Sequence, residues 1–154
     1  MKKMLLMAAL FTATLATMAQ TRVRDFKSPK EILNDRYTSG LFRNAEGTIF
    51  DIENENVQSY INILDWLQGR VAGLQVYVSR NGIRVPVIRG SAATIYVDEM
   101  RMDASFLNSL SVNDIGMIKV IKGPFVGAIG NGGGGTIAIC TLRGDEEELD
   151  LNSD

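Results

Sequence analysis

The sequence predicts an α+β domain, built from one small mixed β-sheet with one or two short helices. Short runs typical of strands recur along the chain, either alternating in polarity or apolar throughout. Only one longer run shows the apolar period of a helix. No internal repeat is present, and 154 residues with 45% hydrophobic and 22% charged composition suit a single globular domain.

Residues 1–19 have the composition of a signal peptide. Lys2 and Lys3 give a basic start, residues 4–11 are apolar, and small residues lead to Ala19, after which cleavage is expected. The apolar run is short and interrupted by threonines, which argues against a transmembrane helix. We therefore expect export, with no membrane span of its own once the signal is removed.

Residues 20–46 are polar and mixed in charge, so we interpret them as an N-terminal extension with a helical turn around residues 30–33. Residues 47–52 (GTIFDI) form the first predicted strand. Asn56 is the predicted N-cap of a helix that ends close to Gly69. Its apolar face is predicted by residues at helical spacing: Val57, Tyr60, Ile61, Leu64 and Leu67.

A β-hairpin is predicted next from two independent signals. Two runs alternate in polarity, at residues 74–78 and 83–87, and Asn81-Gly82 separates them. This dipeptide suits the positive φ angles of a type I′ turn. Pro86 lacks an N–H group, so its strand should lie at a sheet edge there or carry a bulge.

Three further strands and a short helix complete the predicted fold. The strands cover residues 94–98 (TIYVD), 115–121 (IGMIKVI) and 136–143 (TIAICTLR). The second of them is apolar almost throughout, which is typical of a central strand. The short helix covers residues 104–110, with Asp103 as its N-cap.

The composition excludes several classes of site. The chain has no histidine, which removes Ser-His and Cys-His nucleophile pairs and imidazole metal sites. Cys140 is the only cysteine, and we interpret it as a buried, inert thiol, against a reactive or intermolecular one. Nucleic-acid binding is not indicated, because the chain has no basic stripe with interleaved aromatic residues. Six acids fall in residues 145–154, which we interpret as a solvated, disordered tail.

A glycine-rich stretch precedes the last strand, with seven of the 15 glycines in residues 121–139. Gly130, Gly132 and Gly135 fit G-x-G-x-x-G, the spacing of a dinucleotide-binding loop. Such a loop opens a helix, whereas these glycines lead into a β-branched strand, and no Walker lysine follows. We therefore predict no cofactor and interpret the glycines as a bend between strands.

Five segments then form an ordered series: LQGRVAGLQV, VIRG, IYVDE, LNSLSVNDIGMIKVIKGP and GAIGNGGGGTIAICTLRG. The series resembles the plug domain of TonB-dependent outer-membrane receptors, especially receptors of the starch-utilisation type. The resemblance covers residues 47–144 and implies a plug-domain-like fold. It also implies that the glycines form a tight loop between the last two strands, where the plug meets its surrounding barrel.

The resemblance singles out a set of structural or docking positions. For the charged members it implies polar contacts within the plug or to the barrel, and the alternative is an ordinary charged residue at a strand end. The positions are Arg89, Gly90, Asp98, Lys122, Gly123, Gly130 and Gly135.

Several residues depart from the family pattern. Glu99 replaces the glycine after the aspartate, so the turn there must differ or accept a less suitable residue. Lys119 replaces a glutamate, Ile129 replaces a tyrosine, and no convincing TonB box, the segment that pairs with TonB by strand addition, is evident. The ten residues after Gly144 are too few for a barrel, since each membrane strand needs ~9–11 residues and small barrels use ~8 strands.

The expected function is that of a periplasmic plug-like domain, associated with the outer membrane, that acts by protein–protein contact in a nutrient uptake system. Its expected partner is an envelope protein, either a barrel supplied in trans or TonB. The first alternative is a truncated receptor remnant without active transport.

Two further alternatives are open, and we expect no enzymatic activity. Asp98, Glu99 and Asp103 could form a carboxylate pair or a metal site of a periplasmic enzyme, although acidic loops beside strands commonly serve solvation. Trp66 and Tyr77 could line a glycan-binding surface, although such residues on amphipathic elements more often pack inside.

Overall fold

The computed structural model describes residues 27–123, 125 and 133–142, so the predicted signal peptide and acidic tail lie outside the described residues. The described elements follow in chain order: α1 (Pro29–Tyr37), α2 (Gly40–Arg43), β1 (Thr48–Asp51), α3 (Ile63–Gln68), β2 (Leu74–Val78), β3 (Arg84–Ile88), β4 (Ser91–Ala92), β5 (Thr94–Val97), β6 (Met100–Met102), 3₁₀ helices at Ala104–Asn108 and Val112–Asp114, β7 (Ile115–Ile121) and β8 (Thr136–Thr141).

The strands form two sheets. The larger is five-stranded and mixed, in the order β1-β7-β8-β5-β6, with β5 and β8 parallel and the other neighbours antiparallel. The smaller is three-stranded and antiparallel, in the order β2-β3-β4. The predicted α+β class is confirmed, but the prediction of one sheet is wrong. Arg89 and Gly90 both have positive φ, 53° and 83°, and this turn folds β4 back onto β3.

The main core lies on one face of the five-stranded sheet. Here α3 and the 3₁₀ helices pack against β7 and β8, and the largest side chains are fully buried, among them Trp66, Leu67, Leu107, Ile118 and Ile139. Burial of this apolar surface is the main stabilising contribution to the fold.

The opposite face of the same sheet is covered by α1 and α2. Leu33 and Tyr37 of α1 pack against Met117 and Cys140, and Phe42 of α2 is buried against β5, β7 and β8. Cys140 is thus buried, as predicted. Since both faces are covered, β7 is apolar on both apart from the buried Lys119, which accounts for its nearly continuous apolar run and confirms it as a central strand.

Helix α1 begins at Pro29 because Ser28 and Glu31 form a capping box, in which each side chain accepts from the other residue's backbone N–H. The predicted helical turn around residues 30–33 is confirmed and continues to Tyr37. Residues 27–46 look polar in sequence, yet three of their apolar side chains, Leu33, Tyr37 and Phe42, are buried.

The predicted start of the central helix at Asn56 is wrong. The N-cap is Asn62, whose Oδ1 accepts from the Leu64 N–H at 3.0 Å and whose Nδ2 donates to the Leu107 carbonyl at 3.0 Å. This buried amide anchors the helix start to the first 3₁₀ helix. Ile61 therefore lies before the helix and is 87% exposed. Gly69 ends the helix as predicted.

The predicted hairpin is confirmed, but its turn is not type I′. The Ser79 N–H donates to the Ile83 carbonyl and the Gly82 N–H to the Ser79 carbonyl, and Gly82, but not Asn81, has positive φ (75°). This is a three-residue loop that ends in a left-handed glycine. The Pro86 carbonyl accepts from the Ala93 N–H, so the Pro86 nitrogen faces the side on which the two-residue strand β4 lies. Strand β3 lies between β2 and β4 and is therefore not an edge strand.

The remaining predicted strands are confirmed, and Asp103 caps the helix at Ala104–Asn108, which is 3₁₀ rather than α. Strands β4 and β6, helix α2 and the 3₁₀ helix at Val112–Asp114 were not predicted. Within the described ranges, no helix is both long and apolar enough to cross a bilayer.

Candidate functional site

The last glycines before β8 pack against backbone. Gly135 has φ of 84°, and a Cβ there would lie 2.3 Å from the Ile121 carbonyl oxygen. A Cβ on Gly134 would lie 2.3 Å from the carbonyl oxygens of Ser91 and Ala92. The Gly135 carbonyl accepts from the Thr94 N–H at 3.0 Å. These glycines let the chain pass close to three strands.

Lys122 and Gly123 continue from the end of β7, where both are half-buried. A Cβ on Gly123 would meet no atom within 4 Å, so local packing does not require glycine there. Gly130 lies outside the described residues. The role of Lys122, Gly123 and Gly130 toward a barrel stays a prediction.

Arg89 and Gly90 form the turn between β3 and β4, and both are exposed. The Arg89 N–H donates to the Gly73 carbonyl at 3.2 Å, which places this turn beside the start of β2. A Cβ on Gly90 would meet open space. Among the described residues, the Arg89 side chain has no polar partner, so its charge faces solvent.

Asp98 and Glu99 form the two-residue turn between β5 and β6. Both have positive φ, 47° and 66°, so Glu99 occupies a left-handed position that the family fills with glycine. The Asp98 carboxylate accepts from the Thr141 N–H at 2.9 Å and its hydroxyl at 2.7 Å. Glu99 accepts from the Ser39 hydroxyl at 3.2 Å. Asp98 thus fastens the end of β8, which is a structural role.

Lys119 is a buried cation, which the sequence analysis identified only as a departure from the glutamate of the family pattern. It is 2% exposed, and its Nζ donates to Asn34 Oδ1 at 2.8 Å and to the Phe42 carbonyl at 2.6 Å. Burial lowers the pKa of the Lys119 ammonium below its usual range, and the Cys140 thiol acts in the opposite direction. The signal available in the sequence was a single lysine inside an apolar strand. Its contacts fasten α1 and α2 to the sheet.

The three acidic residues considered for catalysis are not brought together. Asp98 and Glu99 lie at one end of β6, whereas Asp103 lies at the other and accepts from the Ser105 N–H at 2.9 Å. This hydrogen bond lowers the pKa of the Asp103 carboxyl. Across the described ranges, no three acidic or cysteine side chains are grouped as metal ligands would be.

The two aromatic residues considered for glycan binding differ. Trp66 is fully buried, stacks edge-on with Phe50 at 5.6 Å and lies under the Arg70 guanidinium at 4.1 Å, so it is a packing residue. Tyr77 is 56% exposed on β2.

The predicted positions therefore occupy three separate places. Lys122 and Gly135 meet where β7 ends and β8 begins, since a Cβ on Gly135 would lie 3.2 Å from the Lys122 Cα. Asp98 lies at the opposite end of β8, and Arg89 and Gly90 lie in the smaller sheet. The described positions therefore do not converge on one pocket.

Comparisons with known proteins agree with this fold. Residues 43–137 match the family described as the TonB-dependent Receptor Plug Domain. No functionally curated protein matches the sequence.

Several solved structures share the fold. One is the RagAB peptide importer in its open-open state, with 23% identity and a TM-score of 0.51 over 64% of this chain and 12% of that chain. The closed-closed state of the RagAB importer gives 26% identity and a TM-score of 0.51, over 66% of this chain and 13% of that chain. The siderophore receptor PirA from Acinetobacter baumannii gives 20% identity and a TM-score of 0.52, over 77% of this chain and 19% of that chain.

The matched region is a small part of each of these proteins, 12–19% of their length. The family match, in contrast, spans more than half of this chain. It includes β1 to β7, the 3₁₀ helices and the start of β8. The chain therefore belongs to the family of TonB-dependent receptor plug domains.

Proposed function

We propose that this protein is an exported plug-like domain that acts by protein–protein contact at the outer membrane, within a nutrient uptake system. The observation that carries the proposal is the plug-family match over residues 43–137 on a plug-like fold. Plug domains of this family are transport components, and the structural neighbours are named as a peptide importer and a siderophore receptor.

The chemistry of the described residues supports binding rather than catalysis. The Asp98 carboxylate is engaged with Thr141, and Asp103 caps a 3₁₀ helix, so both serve the fold. The chain has no histidine to act as a general base near neutral pH. Exposed edges and turns are the surfaces left for function.

The proposed partner is an envelope protein, either a barrel supplied in trans or TonB, and the proposed location is the periplasmic side of the outer membrane. Arg89, Gly90, Lys122 and Gly123 are the proposed docking positions, since they are exposed or half-buried at turns and strand ends. Export requires removal of residues 1–19. Intact-mass measurement of the exported protein should then show Gln20 as its first residue.

Cross-linking in cells tests the proposal. A tagged full-length chain, expressed in its own host, should capture one envelope protein reproducibly, and a chain with the Gly135→Val substitution should lose that capture if the folded domain is responsible. A chain with Arg36→Glu, an exposed change on α1, serves as the control and should retain it. If nothing specific is captured and deletion causes no envelope phenotype, the remnant alternative becomes the better account.

A further inference from the structure

The smaller sheet lies in an unusually basic part of the chain. Residues 66–97 contain four arginines and no aspartate, glutamate or lysine, in a protein whose formal net charge is −2. Arg84 is paired with Asp65 at 2.8 Å, and Arg70 covers the Trp66 ring. Arg80 and Arg89 are exposed, and neither has an acidic partner among the described residues. Two cationic side chains are therefore available to an external anion.

These two arginines lie at opposite ends of β2. Arg80 belongs to the loop that follows β2, and the Arg89 N–H donates to the Gly73 carbonyl, immediately before β2 begins. A strand of this length spans about 17 Å at ~3.3 Å per residue. The charges thus bracket the strand.

The backbone of β2 presents an open edge. The strand lies at the outside of the order β2-β3-β4, and its hydrogen bonds to β3 begin at Ser79 and end at Gly73. Because the groups of an antiparallel strand alternate in direction, the N–H and C=O groups of Val76 and Val78 point away from β3. No described strand pairs with them.

Nothing on β2 opposes the addition of another strand. The sequence Leu-Gln-Val-Tyr-Val has no charge and no proline, whereas the other long edge strand, β1, carries Asp51. Native edge strands are usually protected by charges, prolines or bulges. Tyr77 and Val78 are 56% and 63% exposed, and they offer apolar surface to alternate side chains of an added strand.

We propose that the β2 edge binds an extended segment of the envelope partner, acidic at both ends and β-branched between, as a fourth strand of the smaller sheet. The open backbone edge supplies hydrogen bonds, while Arg80 and Arg89 select carboxylates about one strand length apart. The inference rests on the proposed role in protein–protein contact and adds the surface and the chemistry of its partner.

The test uses the ¹⁵N-labelled full chain, purified after export, with a synthetic peptide as the probe. The peptide is acetyl-Glu-Thr-Val-Thr-Val-Thr-Glu-amide, and the control peptide has lysine in place of both glutamates. We expect amide shifts at Val76 and Val78, binding that weakens with salt, and at least a tenfold weaker affinity for the Arg80→Glu, Arg89→Glu double variant. Arg36→Glu should leave the affinity unchanged.

Three results would overturn the proposal. The first is absence of binding, or equal binding of the lysine peptide. The second is a set of amide shifts that maps to β1 or β6. The third is an edge that is already occupied, shown by a concentration-dependent dimer through β2 or by β2 amides whose exchange protection is lost when residues 145–154 are deleted.

The same double variant separates this inference from the proposed function. If in-cell cross-linking captures the same envelope protein with Arg80→Glu, Arg89→Glu as with the unaltered chain, the protein-contact role stands and the β2 site is wrong. If neither chain captures a specific protein, the proposed function itself fails.

Discussion

Replacement of Gly135 by alanine should destabilise the protein far more than the same change at Gly82. Both glycines have left-handed backbone, with φ of 84° and 75°. A Cβ on Gly82 would meet no atom within 4 Å, whereas a Cβ on Gly135 would lie 2.3 Å from the Ile121 carbonyl oxygen. The pair therefore separates the cost of the backbone conformation from the cost of a steric clash.

The magnitude follows from these two terms. A left-handed conformation costs an L residue about 1–2 kcal/mol, partly offset by the ~0.4–1 kcal/mol that alanine gains over glycine through the unfolded chain. Gly82→Ala should therefore lose about 1 kcal/mol of unfolding free energy. Gly135→Ala adds overlap with backbone that cannot rotate away, so about 1–3 kcal/mol more is expected.

Urea unfolding followed by the fluorescence of Trp66 measures the difference. Trp66 is the only tryptophan in the chain and is fully buried, so its emission reports loss of the core. The midpoint of Gly135→Ala should fall well below that of Gly82→Ala at an unchanged slope. Equal midpoints for the two variants would show that residues 133–135 are a tolerant linker and not a specified crossing of strands.

Three further changes test separate contacts. Gly116→Ala should lose about 1–3 kcal/mol, because its Cβ would lie 2.5 Å from the Tyr37 ring, and a Tyr37→Leu background should recover much of the loss in urea titrations. Asp98→Ala should cost about 1–3 kcal/mol by leaving Thr141 without its acceptor, whereas calorimetry should show a smaller loss for Asp98→Asn. Burial lowers the pKa of Lys119 in the folded protein, so at a pH just below the usual lysine pKa the unfolded chain binds more protons than the folded one. As pH rises through this range, the thermal midpoint of the unaltered protein should therefore rise relative to that of Lys119→Met. A difference in midpoint that does not change with pH would contradict the account of Lys119 as a buried charge.

The strands could be predicted because their period is local and unambiguous. The hairpin followed from alternation on both sides of Asn81-Gly82, and the central position of β7 followed from a run that is apolar except for Lys119. Asp103 was identified as a cap because a capping side chain acts on residues two positions away. Interactions between residues that are close in the sequence can therefore be predicted from a single sequence.

The helix start could not be predicted because distant contacts decide it. Asn56 and Asn62 are equally suitable caps by residue type, yet only the Asn62 amide reaches the Leu107 carbonyl, 45 residues away. The cover formed by α1 and α2 was missed for a related reason. Its few buried side chains give no clear period, and Leu33 and Phe42 are recognisable as core only once the sheet lies beneath them.

The charge at position 119 shows how such distant contacts account for a departure from the family pattern. The resembling family segment has glutamate there, and the lysine of this chain donates to Asn34 of α1 and to the Phe42 carbonyl at the end of α2. A carboxylate at the same depth would face two oxygen acceptors and no described cation, which is strongly unfavourable for a buried charge. The lysine is therefore matched to this particular arrangement of residues 27–46 over the sheet.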